Sequence, residues 1–232
     1  MRKASWVIGF RVLMIAVASW GITSCNESTV FPEDNYFPLR EGVYQLYEVE
    51  LTEYSAFEEP QSKRYQLRSE ITDPFTDASG KKVYRMIRST RNGTNDPWLP
   101  VAAWTIREES PYIVISEGNT SYARLIKPVR KNSTWNGNRF NSLPEEIYRI
   151  DAHAGTFTTA SGKIYANTVT VIQEDLNELT KTDQRKEVYA QDYGLVYKES
   201  KVVTYACSGG VCTGRIVGGY HEKLTLLEYR AD

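Results

Sequence analysis

Apolar and polar residues alternate with a period of two along most of the chain. The stretch "VYQLYEVELTEY" sets Tyr47, Val49 and Leu51 against Glu48, Glu50 and Thr52, the pattern of a strand buried on one face. "KRYQLRSEI" repeats it with Tyr65, Leu67 and Ile71, and "TDASGKK" then supplies Asp, Ser and Gly for a turn before "VYRMIRS" resumes the alternation. "VAAWTIRE", "YIVISE" and "SYARLIKPV" follow, and the second half continues with "GTFTT", "IYANTVTVIQED", "KEVYAQ", "GLVYKESKVVTY", "GRIVGGY" and "KLTLLEY". The pattern predicts an all-β antiparallel meander of about ten strands closing into a barrel, half-barrel or sandwich. Helix signals are confined to "LPEEIYRI" from Leu143, where Pro144 and two glutamates suit a first turn, so at most one or two short helices are expected.

Two segments about ninety residues apart echo each other. "FPLREGVY" from Phe37 and "KPVRKNSTW" from Lys127 both place a proline, a basic residue and a turn ahead of an aromatic that opens a β segment. They are either two strand entries or the mark of a two-repeat domain.

The amino-terminal residues depart from the alternation. Arg2, Lys3 and Arg11 precede an apolar run from Val12 to Trp20, and small or polar residues lead to Cys25. That order is an export signal, and the run is shorter than the ~20 residues of a spanning helix. Ile22-Thr23-Ser24-Cys25 resembles the bacterial lipobox, which implies cleavage before Cys25 and acyl chains on its thiol. More than one inserted chain anchors firmly, at about 0.8 kcal/mol per buried CH₂. The expected organisation is a signal peptide at 1–24, a lipidated cysteine and polar tether at 25–35, and a single β-rich domain at 36–232. Ten flexible tether residues span about 18 Å.

Export changes the reading of the two remaining cysteines. Cys207 and Cys212 flank "SGGV", in which Gly209 and Gly210 suit a tight hairpin, and outside the reducing cytosol a disulfide persists. A zinc site would need two further ligands from a chain that has only His153 and His221. No metal and no cofactor is expected.

The whole-chain charge of −1, less the three basic residues of the leader, leaves −4 for the mature part. A mildly acidic surface without a basic block argues against nucleic acid as a partner. About 208 residues remain after residue 24, rich in Tyr, Thr, Val and Ile, which suit a pleated surface.

The set "YFPLREGVYQLYEV", "STWNGNRF", "VIQED" and "EVYAQDYGLVYKE" resembles uncharacterised envelope lipoproteins of Bacteroidota. The resemblance implies a lipid-anchored β-rich domain and carries over no reaction. More remotely, the aromatic strands with "YGLVY" are similar to half-barrels of the lipoprotein-localisation-factor type, which implies an apolar concave face for acyl chains. In the Bacteroidota group a short acidic stretch after the cysteine accompanies surface display. Here Glu27 is a single acid, so an outer-membrane protein facing the periplasm is expected.

Candidate chemistry is sparse. Asp151 and His153 share a face if their segment is a strand, and such a pair can orient an imidazole for acid–base work. His221 and Glu222 are strand neighbours and point to opposite faces. No G-x-S-x-G, H-E-x-x-H or phosphate-loop motif falls in a fitting context. Trp98, Trp104 and Trp135 sit near loop-like segments, where an aromatic can stack on a sugar or anchor a partner, and Trp135 is the leading contact candidate. The expected role is non-enzymatic binding or scaffolding at the envelope. The alternatives are carriage of lipid or another apolar ligand, and an enzyme acting on envelope glycans. The expected partners are the membrane, through the lipid anchor, and an apolar ligand, a glycan or an envelope protein.

Overall fold

The structure is a computed structural model, and it describes residues 35–231. The signal segment, Cys25 and the tether up to residue 34 lie outside the described residues. Among these the chain forms twelve antiparallel strands and no helix: β1 (Tyr44–Ser55), β2 (Gln61–Thr76), β3 (Lys82–Arg91), β4 (Leu99–Glu109), β5 (Tyr112–Glu117), β6 (Thr120–Ile126), β7 (Thr134–Asn136), β8 (Ile147–Thr158), β9 (Ile164–Asn177), β10 (Lys181–Ala190), β11 (Gly194–Ser208) and β12 (Val211–Arg230). They make one sheet in the order β6-β5-β4-β3-β2-β1-β12-β11-β10-β9-β8-β7. The sheet curls into a nearly closed barrel.

Closure brings the two edge strands together without a full ladder. The Ala123 amide donates to Gly137 O at 2.9 Å, the Trp135 indole donates to Ala123 O at 2.7 Å, and the Asn141 side-chain amide donates to Ser121 O at 2.8 Å. These bonds satisfy edge groups that would otherwise invite another strand. Gly137 has to be glycine, because a Cβ there would overlap the Tyr148 ring.

Three sequence expectations change. The segment from Leu143 is not helical, because its backbone groups are taken by side chains: Asn138 donates to Pro144 O at 2.7 Å, and the Glu146 amide donates to Asn136 Oδ1 at 3.2 Å. Strand β8 begins at Ile147 instead. "GRIVGGY" and "KLTLLEY" are one strand, β12, kept continuous through Gly219 (φ 107°), where a Cβ would overlap the backbone of Val202. Finally, the polar turn "STWNGN" contains a three-residue strand, β7.

The ninety-residue echo is structural. Gly42 (φ 79°) and Asn132 (φ 67°) both take left-handed backbone at the entry to β1 and β7. In the first half the Gly42 amide donates to Ile71 O and the Ile71 amide to Val43 O, both at 2.9 Å; in the second, Asn132 donates to Ile150 O at 2.8 Å and Ile150 to Ser133 O at 2.9 Å. Each entry thus hooks onto a buried isoleucine in the second strand of its own six-strand meander.

The barrel interior holds two packed clusters. One joins residues of β2 to β10, with Ile106, Ile113, Leu125, Ile150 and Val171 at its centre and Tyr36 sealed against it; the other joins Tyr47, Val49, Leu67, Val188, Val196, Leu224 and Leu226. Tyr36 belongs to the segment preceding β1, whose Asn35 carbonyl accepts from the Asp192 amide at 2.8 Å. The chain therefore enters the barrel at the end that carries the β10–β11 turn.

Candidate functional site

In the half of the barrel nearest that entry the core opens into a cavity. Residues before β1 cover it with Phe37 and Pro38, and strands from both halves of the sheet line it. The cavity volume is about 70 Å³, room for on the order of five waters. Ile71, Met86, Trp104, Ile115, Leu195 and Leu224 provide apolar wall, and Arg88, Arg124, Lys198, Glu117 and Glu187 bring charge into it.

These charged groups arise from the same alternation that builds the core. Arg88 follows Met86 on the inward parity of β3, Glu117 follows Ile113 and Ile115 on β5, and Lys198 follows Val196 on β11. The sequence analysis did not single them out. The signal available there was a charged residue falling on the apolar phase of a strand.

Arg124 is the centre of an ion cluster. It pairs closely with Glu117 and lies 3.8 Å from Glu187, which also accepts a 2.6 Å hydrogen bond from the Tyr189 hydroxyl. Burial alone would weaken the hold of Arg124 on its proton, but Glu187 and Glu117 outweigh it and raise its pKa. Burial raises the Tyr189 hydroxyl well above its ordinary value, and the adjacent Glu187 carboxylate adds to this. Tyr47, whose hydroxyl donates to Leu195 O at 3.0 Å, is raised chiefly by burial as well. All three groups hold one protonation state across the physiological range. Lys198 is paired with Glu222 at 3.0 Å.

Arg88 is different. Its guanidinium stacks on the Trp104 ring at 4.0 Å, its Nε is buried without a hydrogen-bond partner, and it forms no ion pair among the described residues. Burial lowers its pKa, with Glu117 the largest opposing influence. The cavity thus presents a stacked guanidinium whose donors are not committed to protein acceptors.

Of the three tryptophans singled out from sequence, Trp104 lines this cavity. Trp98 does not; it lies between Arg68 at 5.0 Å and Arg91 at 4.4 Å on the outside of the barrel. Trp135, expected on a polar turn, is buried in β7, packs edge-on against Tyr148 and commits its N–H to Ala123 O. It is a closing peg of the barrel and not an accessible contact. Cys207 and Cys212 face each other across the β11–β12 hairpin and are disulfide-bonded, with Gly209 and Gly210 both at positive φ between them.

The polar pairs settle elsewhere. Asp151 is exposed and pairs with Arg149 at 3.2 Å, while the His153 ring packs edge-on against Tyr36 at 6.1 Å. His221 contacts Glu199 at 3.0 Å and Glu222 contacts Lys198. Among the described residues no group of His, Cys, Asp and Glu is arranged to hold a metal ion.

No family model matches the chain, and no curated protein matches it. Two solved structures are similar to it. A Bacteroides fragilis protein, described as a candidate exported protein with a YmcC-like fold, shares 12% identity over 84% of this chain and 98% of its own, with a TM-score of 0.47. A candidate lipoprotein of Parabacteroides distasonis shares 13% identity over 85% of this chain and 99% of its own, with a TM-score of 0.37. At these TM-scores neither likeness bears on the function of this chain.

Proposed function

We propose that the protein is an exported, lipid-anchored binding domain of the bacterial envelope that takes a small polar ligand into its barrel. The leader ending at Cys25 supports export and anchoring, and the single acid after that cysteine favours the periplasmic face of the outer membrane. The observation that carries the binding reading is the cavity itself, with Arg88 held on Trp104 and its Nε unpartnered. An acyl chain suits this space poorly. It would lie against Arg88, Glu117 and Arg124 and strip water from them without offering a hydrogen bond, and about 70 Å³ holds little hydrocarbon. The role is non-enzymatic: both cavity carboxylates are engaged with Arg124 and no nucleophile–base pair converges there.

Native mass spectrometry of the full-length protein, extracted from membranes in detergent, tests this reading. A small polar adduct on the wild type that is absent from Arg88→Met is the expected result. A non-covalent acyl lipid retained by both proteins would overturn it.

A further inference from the structure

With Glu222, which lies behind the cavity wall and pairs with Lys198, the charges around the cavity sum to zero, but they are distributed unevenly. Lys198 is taken by Glu222. Arg124 is shared between Glu117 and Glu187, so that cluster holds one negative charge in excess. Arg88 holds the compensating positive charge, without a carboxylate in ion-pair contact among the described residues. A plain anion seated on Arg88 would leave the excess carboxylate charge uncompensated in a desolvated setting, and a plain cation would leave Arg88 so. A ligand carrying both signs neutralises both centres at once.

We propose that the cavity binds a small zwitterionic amino acid with a short apolar side chain, such as alanine, its carboxylate on the Arg88 guanidinium and its ammonium on Glu117. The inference rests on the small-ligand reading above and names the ligand's class. Arg88 and Glu117 stand on β3 and β5 with β4 between them; Arg88 faces Ala102 and Glu117 follows the Thr105–Ser116 pair, so their backbones are two ladder steps apart sideways and about two residues apart along the strands, roughly 12 Å. Both side chains line the cavity, the condition for one compact zwitterion to touch both. Stacking on Trp104 fixes the guanidinium plane, which suits the two parallel bonds of a carboxylate fork. Glu117 gives Oε1 to Arg124, and its Oε2 accepts no hydrogen bond among the described residues. Met86, Ile115 and Leu224 form an apolar wall for a side chain.

Isothermal titration of the full-length, detergent-solubilised protein with each of the twenty common L-amino acids tests the proposal. Binding is expected for the small apolar member alanine. Propionate and ethylamine, which each lack one of the two charges, should bind at least tenfold more weakly. Arg88→Met should lose alanine binding at least tenfold while keeping its far-UV circular dichroism. Glu117→Gln should weaken alanine yet strengthen propionate, opposite movements that a merely structural role would not produce. Absence of heat with every amino acid at millimolar concentration, or equal affinity for alanine and propionate, would overturn the proposal. Arg88-dependent binding of succinate or glucose in place of amino acids would overturn it while leaving the small-ligand reading intact. A retained lipid in native mass spectrometry would remove both.

Discussion

Arg88 and Arg124 line one cavity, yet their removal should have unequal consequences for stability. Arg124 is paired with two carboxylates, one of them the almost fully buried Glu187, so Arg124→Met strands both charges in the barrel. A loss of about 3–5 kcal/mol is expected, read from urea unfolding. Arg88 has no ion-pair partner among the described residues, so Arg88→Met removes a desolvated cation without stranding a bonded carboxylate, and the compensation it gives Glu117 acts only at longer range; its cost should be well below that of Arg124→Met. A fall as large as that of Arg124→Met would show that Arg88 belongs to the structural cluster. A third charged residue predicts a pH dependence. Glu199, on the outer side of β11, contacts His221, Lys186 and Tyr197, each at 3.0 Å, and lies 4.0 Å from Lys223. Partial burial pushes its pKa up, but the hydrogen bonds from His221 and Lys186 overcome this and bring it from an ordinary 4.5 down to about 2. The folded state therefore prefers the ionised carboxylate. Its contribution is complete above pH 4.5 and is lost as pH falls through about 2. Melting temperatures measured from pH 6 to pH 2 should decline less steeply below pH 4.5 in Glu199→Gln than in the wild type. Parallel curves would show that Glu199 is not a source of that decline.

At the scale of elements, the two entry turns show what the sequence could reveal. "FPLREGVY" and "KPVRKNSTW" are alike because both must turn through left-handed backbone and hook onto a buried isoleucine, and Gly and Asn are the residues that tolerate that conformation. Exchange between them follows. Gly42→Asn should cost little, whereas Gly42→Val forces a β-branched residue to positive φ and should cost on the order of 1–3 kcal/mol, measured by thermal or urea unfolding. Equal effects of the two substitutions would remove the left-handed turn as the reason for the glycine. The alternation in β2 was legible because its buried residues, Leu67, Ser69 and Ile71, all lie on one face. The stapled hairpin was legible as well, because two cysteines and two glycines leave few geometries. The region from Trp135 to Ile147 was not. Its polar side chains satisfy backbone groups up to twenty residues away, so a stretch that looks like a solvated turn and a helix start is a closing edge and an extended lead into β8. The cavity was hidden for a related reason. Its charged members lie on five strands, and only closure of the barrel brings Arg124 of β6 to Glu187 of β10.

For the whole molecule, the place where the chain enters matters. Asn35 joins the barrel beside the β10–β11 turn, and the next residues seal one end of the core: Tyr36 is buried, Phe37 packs on Tyr189, and Pro38 lies over Gly194. The cavity therefore sits toward the end of the barrel at which Asn35 joins it. The turns with exposed Phe57, Leu179 and Val211 lie at the opposite end of the strands. An anchor on Cys25 would hold the protein at a membrane while the two packed clusters hold the fold, so the two are expected to be separable contributions. Cys25→Ala in the full chain isolates the first. If the lipobox reading is right, the variant loses labelling by radioactive fatty acid and moves from the membrane pellet to the soluble fraction. Because the substitution alters no residue of either packed cluster, its melting temperature should match that of the wild type in the same detergent. Unchanged labelling would exclude Cys25 as the acyl acceptor. A lowered melting temperature with labelling lost would show that the segment before Tyr36 contributes to the stability of the barrel, and that the cap over the cavity depends on more than Tyr36, Phe37 and Pro38.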